Sequence, residues 1–478
     1  MKDWKKLMFG IVVLVATCLC AGPLMAQQEG EEKPKPAARE YPPLLSRSDN
    51  QQDAEQAPDT TQPDNRPLSG VQNTTLGTPE MRHSYWVPGI RYSNSAASNP
   101  SNSAANSQWN TTSFVSGDVS LLEAWGRSLL SANYSGGGFS STDSTQGSGQ
   151  YHQFAAAYEI DQRRWQALFV DEFSHLPQSS FGFGGPSGLA FPGITGSLSV
   201  PLPGLQEVFA PRQAIFVAIG PRSSNAAAVQ FNYKFSQRRS ITVAAVHGLL
   251  RFADPGNINN DTYTLSVGYN YALTVKDTVG LIYRFSAYHF PGDPQALGDH
   301  VAQFAYGRKV TGRLALQLAG GPEITTFRMP INSATHRVSG AASGSLIYAF
   351  PQSSVAVNYS HSVSSGSGLF SGAITDLVDA TWNQRFTRAW AGNINIGYAK
   401  NRQILAISGF TSPNYNSWIL GAGVNRPLGR TVNFSFGYQA RLQTANIPLC
   451  NSSNCGTTST LHQIFTSLEW HARPLVLR

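Results

Sequence analysis

Three side chains that could exchange protons or bind a metal ion lie close together in the sequence, at Asp171, Glu172 and His175. A histidine beside carboxylates is the combination that many hydrolases use for acid–base catalysis, and the same groups bind zinc. The three residues are also typical of the hydrated end of a β-strand, and we favour that interpretation. An enzyme that uses this cluster stays an alternative. No glycine-rich phosphate-binding motif is present, and no metal or cofactor site is predicted.

Two of the four cysteines, Cys450 and Cys455, are separated by four polar residues. The other two lie within residues 1–26, where lysines precede an apolar run and small residues follow it. This pattern predicts a signal peptide that is cleaved after Ala26. Export would carry the remaining pair into an oxidising compartment, where its spacing predicts a disulfide that closes a loop.

Residues 27–80 are rich in Pro and Gln and contain ten acidic and five basic residues. Such a segment has too few apolar residues to offset the entropy lost on ordering, so we predict a disordered linker. It could also contact a periplasmic or cell-wall partner. A plain spacer is the favoured interpretation.

The remainder of the chain alternates between large apolar and small polar residues with a period of two. Three of the clearest stretches are Val229–Phe235, Tyr263–Tyr271 and Val432–Gln439. Strict alternation of this length indicates β-strands with one apolar and one polar face. Only 13% of all residues are charged, about half the ~25% usual in soluble domains. No apolar run of about 18 residues follows the predicted signal peptide, which excludes a helical membrane bundle.

The connections between the predicted strands alternate strictly between short turns and long polar stretches. Soluble β-sandwiches do not sort their loops by length, whereas a membrane barrel places short turns on the periplasmic side and long loops outside. Hydrocarbon offers no partner for backbone N–H and C=O groups, so a sheet that spans a membrane must close on itself. Aromatic residues concentrate near the predicted strand ends, as membrane interfaces favour.

With these features the sequence resembles bacterial outer-membrane β-barrels of the porin-like kind, over residues 81–478. The resemblance rests on the pattern and on no specific motif. It implies an all-β, transmembrane, antiparallel, up-and-down barrel in the outer membrane. Seventeen strands are clear from about residue 111, and residues 84–92 supply one more at the front, which gives 18, with 16 as the alternative. The last alternating strand ends at Trp470, and the chain continues past this aromatic residue, unlike most such barrels.

The longest predicted loop, residues 175–222, joins the fifth and sixth strands and is unusually apolar. In general porins one outer loop bends inward and narrows the channel. That likeness implies that Glu207, Arg212 and Arg222 form a constriction. The alternative is a loop that caps the mouth of the barrel.

The polar face of the strands would line the lumen. Its basic and amide side chains in mid-strand are lumen-lining candidates: Lys234, Arg284, Gln317, Asn358, Asn393, Asn395 and Arg441. The predicted function is passive diffusion of small hydrophilic solutes with a weak preference for anions. The alternative is a non-conducting barrel used for surface interaction or anchoring. The predicted partners are outer-membrane lipid and small solutes, and the scattered basic residues do not predict nucleic-acid binding.

Overall fold

The computed structural model describes the strands and most of the turns of the chain. The described residues are 67–72, 84–98, 109–142, 147–177, 205, 209, 215, 221–253, 256–293, 295–311, 313–328, 335–404, 412–447 and 457–476. Among them, no helix has the length and apolar character needed to cross a membrane.

Eighteen long strands form one antiparallel sheet in which each strand pairs with its neighbours in the sequence. Their bounds are β1 Tyr85–Ser98, β2 Trp109–Trp125, β3 Ser128–Ser141, β4 Ser148–Asp161, β5 Trp165–Leu176, β6 Arg222–Lys234, β7 Arg239–Phe252, β8 Asn260–Ala272, β9 Asp277–His289, β10 Ala296–Thr311, β11 Leu314–Arg328, β12 Thr335–Ala349, β13 Ser353–Ser364, β14 Ala373–Arg385, β15 Ala391–Gln403, β16 Asn414–Pro427, β17 Val432–Ala445 and β18 Thr458–His471. The predicted fold class and the predicted count of 18 are both confirmed.

The sheet closes because β1 pairs with both β2 and β18. Nine residue pairs join β1 to β18, from Gly89 opposite His471 to Ala97 opposite Gln463. The chain beyond Trp470 also has a structural role: a two-residue strand, β19 (Leu475–Val476), pairs with Tyr85 and Trp86 at the start of β1. The closing strand is thereby extended past its last aromatic residue. Closure leaves no unpaired sheet edge, which is the condition for a sheet to span hydrocarbon.

The turns and loops are sorted by length at the two ends of the barrel, as the sequence predicted. Tight turns such as 126–127, 235–238 and 428–431 lie at one end, which we call the short-turn end. The connections at the other end, the long-loop end, include residues 177–221 and 365–372. The longest of them joins β5 to β6, so its predicted position between the fifth and sixth strands is correct.

The two faces of the wall differ in chemistry. Along β6, Ser224, Gln230 and Asn232 are buried, whereas Val229 and Phe231 on the opposite face are exposed. Partners across antiparallel strands lie on the same face, so this alternation carries around the whole barrel. The buried polar side chains therefore face the lumen, and the exposed apolar ones face outward.

The outward face forms a continuous apolar band. Its large exposed side chains include Trp86, Trp125, Val229, Phe231, Tyr263, Leu265, Leu281, Tyr283, Phe304, Leu318, Tyr359, Trp382, Ile396, Trp418, Leu420, Phe436, Leu468 and Trp470. Ten residues of a strand tilted by about 40° span roughly 25 Å, the height of the apolar band in outer-membrane barrels. Exposed apolar surface on this scale requires a lipid or detergent environment.

Candidate functional site

All seven lumen-lining candidates from the sequence have their side chains on the inner face of the barrel wall. Arg284, Asn395 and Arg441 are buried, and Arg441 Nη2 donates a hydrogen bond to Gln443 Oε1 at 2.8 Å. Lys234 is half-buried near the short-turn end. Asn358, Asn393 and Gln317 also lie on this face, and Asn393 is exposed to the lumen. Contact of these seven side chains with a passing solute stays a prediction.

A segment from the N-terminal part of the chain, residues 67–72, lies inside the lumen. We call it the inner segment. Val71 N donates to Gln230 Oε1 at 2.7 Å, and Ser69 N donates to Asn270 Oδ1 at 3.3 Å. Asn270 Nδ2 donates in return to Ser69 Oγ at 2.8 Å, and Gln317 Nε2 donates to the carbonyl oxygen of Leu68 at 3.2 Å. Four hydrogen bonds thus hold a segment that falls in the predicted linker to the inner wall.

Shape complementarity accompanies these hydrogen bonds. Val71 is completely buried among small lumen-facing side chains of β4–β7, including Ala228 and Ala244. A Cβ on Gly268 would lie 2.1 Å from Ser69 Cβ, and a Cβ on Gly307 would lie 2.6 Å from Leu68 Cδ2. Glycines at these two positions provide the space that the inner segment occupies.

The long loop between β5 and β6 contacts the inner segment. Leu205 forms an isolated β-bridge with Gln72, and both Leu205 and Phe209 are buried in the same cluster as Val71. Ile215 packs instead against Phe370 and Tyr415 at the long-loop end. The described part of the loop therefore enters the lumen and also contacts the mouth, which combines the two alternatives that the sequence left open.

Only one of the three constriction candidates can be located. Glu207 and Arg212 lie outside the described residues. Arg222 is the first residue of β6, faces inward and is buried beside the end of β5, where it pairs with Leu176. Its place is the long-loop end of the wall, and its part in a constriction stays a prediction.

The connection between β13 and β14, residues 365–372, folds over the mouth of the barrel. Ile258 N donates to the carbonyl oxygen of Gly368 at 2.7 Å, and Ser371 Oγ bonds Asp293. Gly366 and Gly368 have φ values of 83° and 88°. Such values favour glycine, so this tight inward fold depends on glycine at these positions.

A buried carboxylate of the wall holds the end of β13, which leads into this mouth loop. Glu323 on β11 accepts a hydrogen bond from Val363 N at 3.1 Å and another from Ser339 Oγ at 2.9 Å. Beyond Ala342 and His361 the pairing of β12 with β13 stops, so the end of β13 is free to bend inward. The wall thus opens locally, and a β-hairpin tip covers part of the mouth.

The lumen is occupied unevenly. Lumen-facing side chains of β4–β8 are buried beneath the inner segment and the long loop, as Val170 and Ala244 illustrate. On β12–β15 the lumen-facing side chains in the half nearer the short-turn end are instead accessible to water, whereas Ala341, Leu377 and Ala399 nearer the long-loop end are buried. This open arc consists of Ser343, Ser345, Asn358, Asp379 and Asn393, each of them half-buried or exposed. One side of the lumen is therefore filled, and the other presents hydroxyl, amide and carboxylate groups to water.

The seam between β18, β1 and β2 contains a buried charge network. Arg91 Nη2 contacts Glu469 Oε1, and His471 Nε2 lies 2.9 Å from the same oxygen. His471 Nδ1 lies 3.4 Å from Asp118 Oδ2. Asp118, Glu469 and His471 could together hold a metal ion, since their ligand atoms lie within 4.8 Å of one another. The guanidinium of Arg91 already balances a carboxylate there, so the geometry is also that of an ion network that fastens the seam.

The cluster that suggested hydrolysis does not converge. Asp171 and His175 face outward, where Asn225 Nδ2 donates to Asp171 Oδ1 at 2.8 Å and His175 Nδ1 bonds Ser223 Oγ at 2.8 Å. Glu172 faces the lumen and is buried. The three side chains are therefore divided between the two faces of one strand and do not form a common acid–base site.

Several predicted features lie outside the described residues. They are the signal peptide 1–26, the linker 27–80 apart from residues 67–72, and the disulfide between Cys450 and Cys455. The inner segment and the seam network were missed in the sequence. The seam residues are separated by more than 300 positions, and Pro67–Gln72 is distinguished from its surroundings only by a lack of charge.

No family model matches the sequence, and no curated protein matches it. Its fold is similar to that of Pseudomonas aeruginosa OccK2 (OpdF), with a TM-score of 0.42, 8% identity, and coverage of 82% of this chain and 98% of that one. Acinetobacter baumannii OccAB3 has a TM-score of 0.40 and 10% identity, over 81% of this chain and 99% of that one. The outer membrane protein opdK of Pseudomonas aeruginosa has a TM-score of 0.38 and 10% identity, over 81% and 99%.

These identities and TM-scores are too low to transfer a solute or a family to this chain. The wall itself is informative: it has eighteen antiparallel strands, a closed seam, an apolar outside and a polar inside. The chain has the architecture of porin-like bacterial outer-membrane β-barrels, as the sequence pattern indicated.

Proposed function

We propose that this protein is an outer-membrane channel through which small hydrophilic solutes diffuse passively along the open arc. The observation that carries the proposal is the water-accessible row of polar side chains in the half of β12–β15 nearer the short-turn end, opposite a wall that is filled. The short-turn end would face the periplasm and the long-loop end the exterior.

The inner segment, the long loop and the mouth loop would set the size limit for solutes. Each of them reduces the cross-section of a barrel whose 18 strands would otherwise enclose a wide lumen. The hydrogen bonds of Gln230 and Asn270 to the inner segment, and the one from Val363 N to Glu323 just before the mouth loop, make these restrictions part of the fold. Small solutes should therefore pass, and larger ones should be excluded until one of the restrictions is removed.

A weak preference for anions is the finer part of the proposal. Lys234 and Arg337 are accessible basic side chains on the inner face, and Asp379 is the accessible acid of the open arc. Asn358 Nδ2 donates to Asp379 Oδ2 at 3.0 Å, which occupies one carboxylate oxygen without changing its charge. Arg284 and Arg441 are buried and contribute less to the field that a solute experiences.

Planar-bilayer recording of the refolded protein tests the proposal. We expect discrete current steps in symmetric salt and, in a salt gradient, a reversal potential that indicates anion selectivity. A reversal potential that indicates cation selectivity would contradict the anion preference and leave the channel intact. The complete absence of steps, also after the inner segment is weakened, would support the alternative of a non-conducting surface barrel.

The maturation steps predicted from the sequence belong to the same proposal. Export should cleave the chain after Ala26, and Cys450 and Cys455 should form a disulfide in the oxidising compartment. Peptide sequencing of the mature N-terminus tests the first step. Alkylation with and without a reductant tests the second, since two thiols should become reactive only after reduction.

A further inference from the structure

Nearly all the described histidines of the barrel lie on its outer face and near one end of the strands. The chain has ten of them. Of the nine that the structure describes, only His471 faces the lumen. The other eight face outward, and they lie within the six strand residues nearest the long-loop end: His152, His175, His247, His289, His300, His336, His361 and His462. We call these eight residues the histidine collar.

The collar lies just above the apolar band. On β13, His361 follows the outward Val355, Val357 and Tyr359, and on β9 His289 follows Leu281, Tyr283 and Phe285. Lipid headgroups occupy this level of an outer-membrane barrel, because the hydrocarbon ends where the apolar band ends. The imidazoles are therefore at the height of the headgroups of the outer leaflet.

A repeated contact fixes the orientation of several of the rings. Hydrogen bonds join Nδ1 of His152 to the Tyr134 hydroxyl at 2.9 Å, Nδ1 of His300 to Tyr283 at 2.8 Å, and Nδ1 of His462 to Tyr438 at 2.7 Å. In each pair the tyrosine is one diagonal step below the histidine on the neighbouring strand.

In three further histidines of the collar, Nδ1 also bonds a side chain on a neighbouring strand. His175, His336 and His361 use Nδ1 toward Ser223, Thr326 and Asp376 respectively. When Nδ1 is engaged within the wall, Nε2 on the far side of the ring is the nitrogen left for an external partner. Six separate sites share this arrangement, which a random distribution of interfacial histidines would not produce.

The charge at this level suits an anionic partner. The other outward charged residues there are Arg251, Arg328, Lys400, Arg402, Asp171, Asp261 and Asp376. Arg251 pairs with Asp261, and Arg402 lies 3.9 Å from Asp376. With neutral imidazoles the described strand residues at this level thus carry four positive and three negative charges. Each protonated histidine adds one more positive charge, and histidine is the side chain that changes charge between about pH 5 and 8.

We propose that the histidine collar binds anionic, phosphate-bearing lipid headgroups of the outer leaflet, and binds them more strongly when the imidazoles are protonated. The groups that face the rings are Tyr134, Tyr283, Tyr438, Ser223, Thr326, Asp376, Tyr263 opposite His247 and Asp261 opposite His289. In addition, His152 and His175 face each other across β4 and β5, and His247 lies near Arg251 with its Nε2 buried. Only the two aspartates among them are acidic, so most of the collar keeps its added charge available to lipid. The proposal depends on the membrane setting of the proposed function and is independent of conduction.

Lipid selectivity measured with spin-labelled lipids tests this inference. The full chain is reconstituted in phosphatidylcholine vesicles, and the association of spin-labelled phosphatidylglycerol is compared with that of spin-labelled phosphatidylcholine at pH 5.5 and pH 8. A surface charge near a headgroup contributes about 1 kcal/mol, so we expect selectivity to rise by about two- to fivefold at the lower pH. Equal selectivity at the two pH values would overturn the proposal without any variant.

Three matched variants locate the effect. The triple change His152→Gln, His300→Gln and His462→Gln should remove a large part of the pH-dependent selectivity. Changing Tyr134, Tyr283 and Tyr438 to Phe keeps the charges and releases the rings, so it should reduce selectivity by a smaller factor. Conservative changes of Thr444, Thr458 and Thr460 to Ser at the same level should leave it unchanged. Full pH-dependent selectivity in the histidine triple variant would overturn the proposal, and conductance steps recorded in parallel would show that any failure concerns lipid binding alone.

Discussion

Weakening the hold on the inner segment should enlarge the channel. Gln230→Ala and Asn270→Ala together remove three hydrogen bonds that join this segment to the wall: Val71 N to Gln230, Ser69 N to Asn270, and Asn270 Nδ2 to Ser69 Oγ. Both side chains face the lumen from β6 and β8 and are buried, so the change does not alter the lipid-facing surface.

The expected size of the effect follows from these contacts. A hydrogen bond contributes about 0.5–1.5 kcal/mol net, so three contribute about 1.5–4.5 kcal/mol. Because about 1.4 kcal/mol is a tenfold change in an equilibrium constant, the fraction of time that the segment spends detached should rise roughly 10- to 1,000-fold. Burial of Leu68 and Val71, at about 1.5–3 kcal/mol each, would still favour the bound state.

Single-channel recording resolves this shift. The wild-type protein should dwell in a low-conductance level with rare, brief jumps to a higher one, and the double variant should spend far more time in the higher level. The matched control is Asn433→Ala with Gln439→Ala, which truncates one buried asparagine and one buried glutamine on the inner face of β17, away from the segment. If the double variant and this control show the same occupancy of the higher level, the inner segment does not restrict the channel.

Three further changes test separate contacts. Gly268→Val places a side chain where Ser69 lies, since even a Cβ would be 2.1 Å from Ser69 Cβ. The variant should raise conductance as the double variant does, and an unchanged conductance would argue against the bound segment. Glu469→Ala removes the carboxylate that pairs with the buried Arg91. The free energy of unfolding should fall by about 3–5 kcal/mol in urea titrations monitored by gel shift. A loss below about 1 kcal/mol would contradict a stabilising role for the seam network. Glu323→Ala removes the hydrogen bond from Val363 N that holds the end of β13 just before the mouth loop, so larger sugars should enter in a liposome-swelling assay, and an unchanged size limit would assign the restriction to other elements.

The wall of the barrel was predictable because its side-chain pattern depends only on residues that are close in the sequence. A strand between water and lipid must alternate its side chains at every step, as Val229–Phe235 does, and that pattern is visible without knowledge of neighbouring strands. The alternation of short turns and long loops is also visible along the sequence, so it predicted the number of strands and the position of the longest loop. Even the first strand, with Pro88 opposite Val119, was found from its pattern and from the need for an even count.

The contents of the lumen were not predictable in this way. The inner segment is held by Gln230, Asn270 and Gln317, which are 159 or more residues away from their partners, and nothing near Ser69 in the sequence indicates them. The seam network likewise joins residues from the two ends of the barrel. Long-range packing of short polar segments leaves no periodic signal, which explains why residues 67–72 were included in a predicted spacer.

The favoured interpretation of Asp171, Glu172 and His175 as a strand end agrees with their place in the last six residues of β5, whereas the alternative of one acid–base site does not fit the geometry. Adjacent residues of a strand point to opposite faces, so the side chains of Asp171 and Glu172 lie on different faces of β5. The same rule explains why the histidine collar is visible only after the strands are aligned. Its members are far apart in the sequence and share only the height and the face that the register gives them.

The central claim, that solutes pass along the open arc while the opposite wall is filled, is tested most directly by thiol labelling during current recording. Ser345→Cys lies on the open arc, and Ala244→Cys lies beneath Val71 in the buried cluster. With a charged, water-soluble thiol reagent, and with the unsubstituted chain as the control for Cys450 and Cys455, current should fall for Ser345→Cys and stay constant for Ala244→Cys. Block at Ala244→Cys alone, or at both positions alike, would contradict the account.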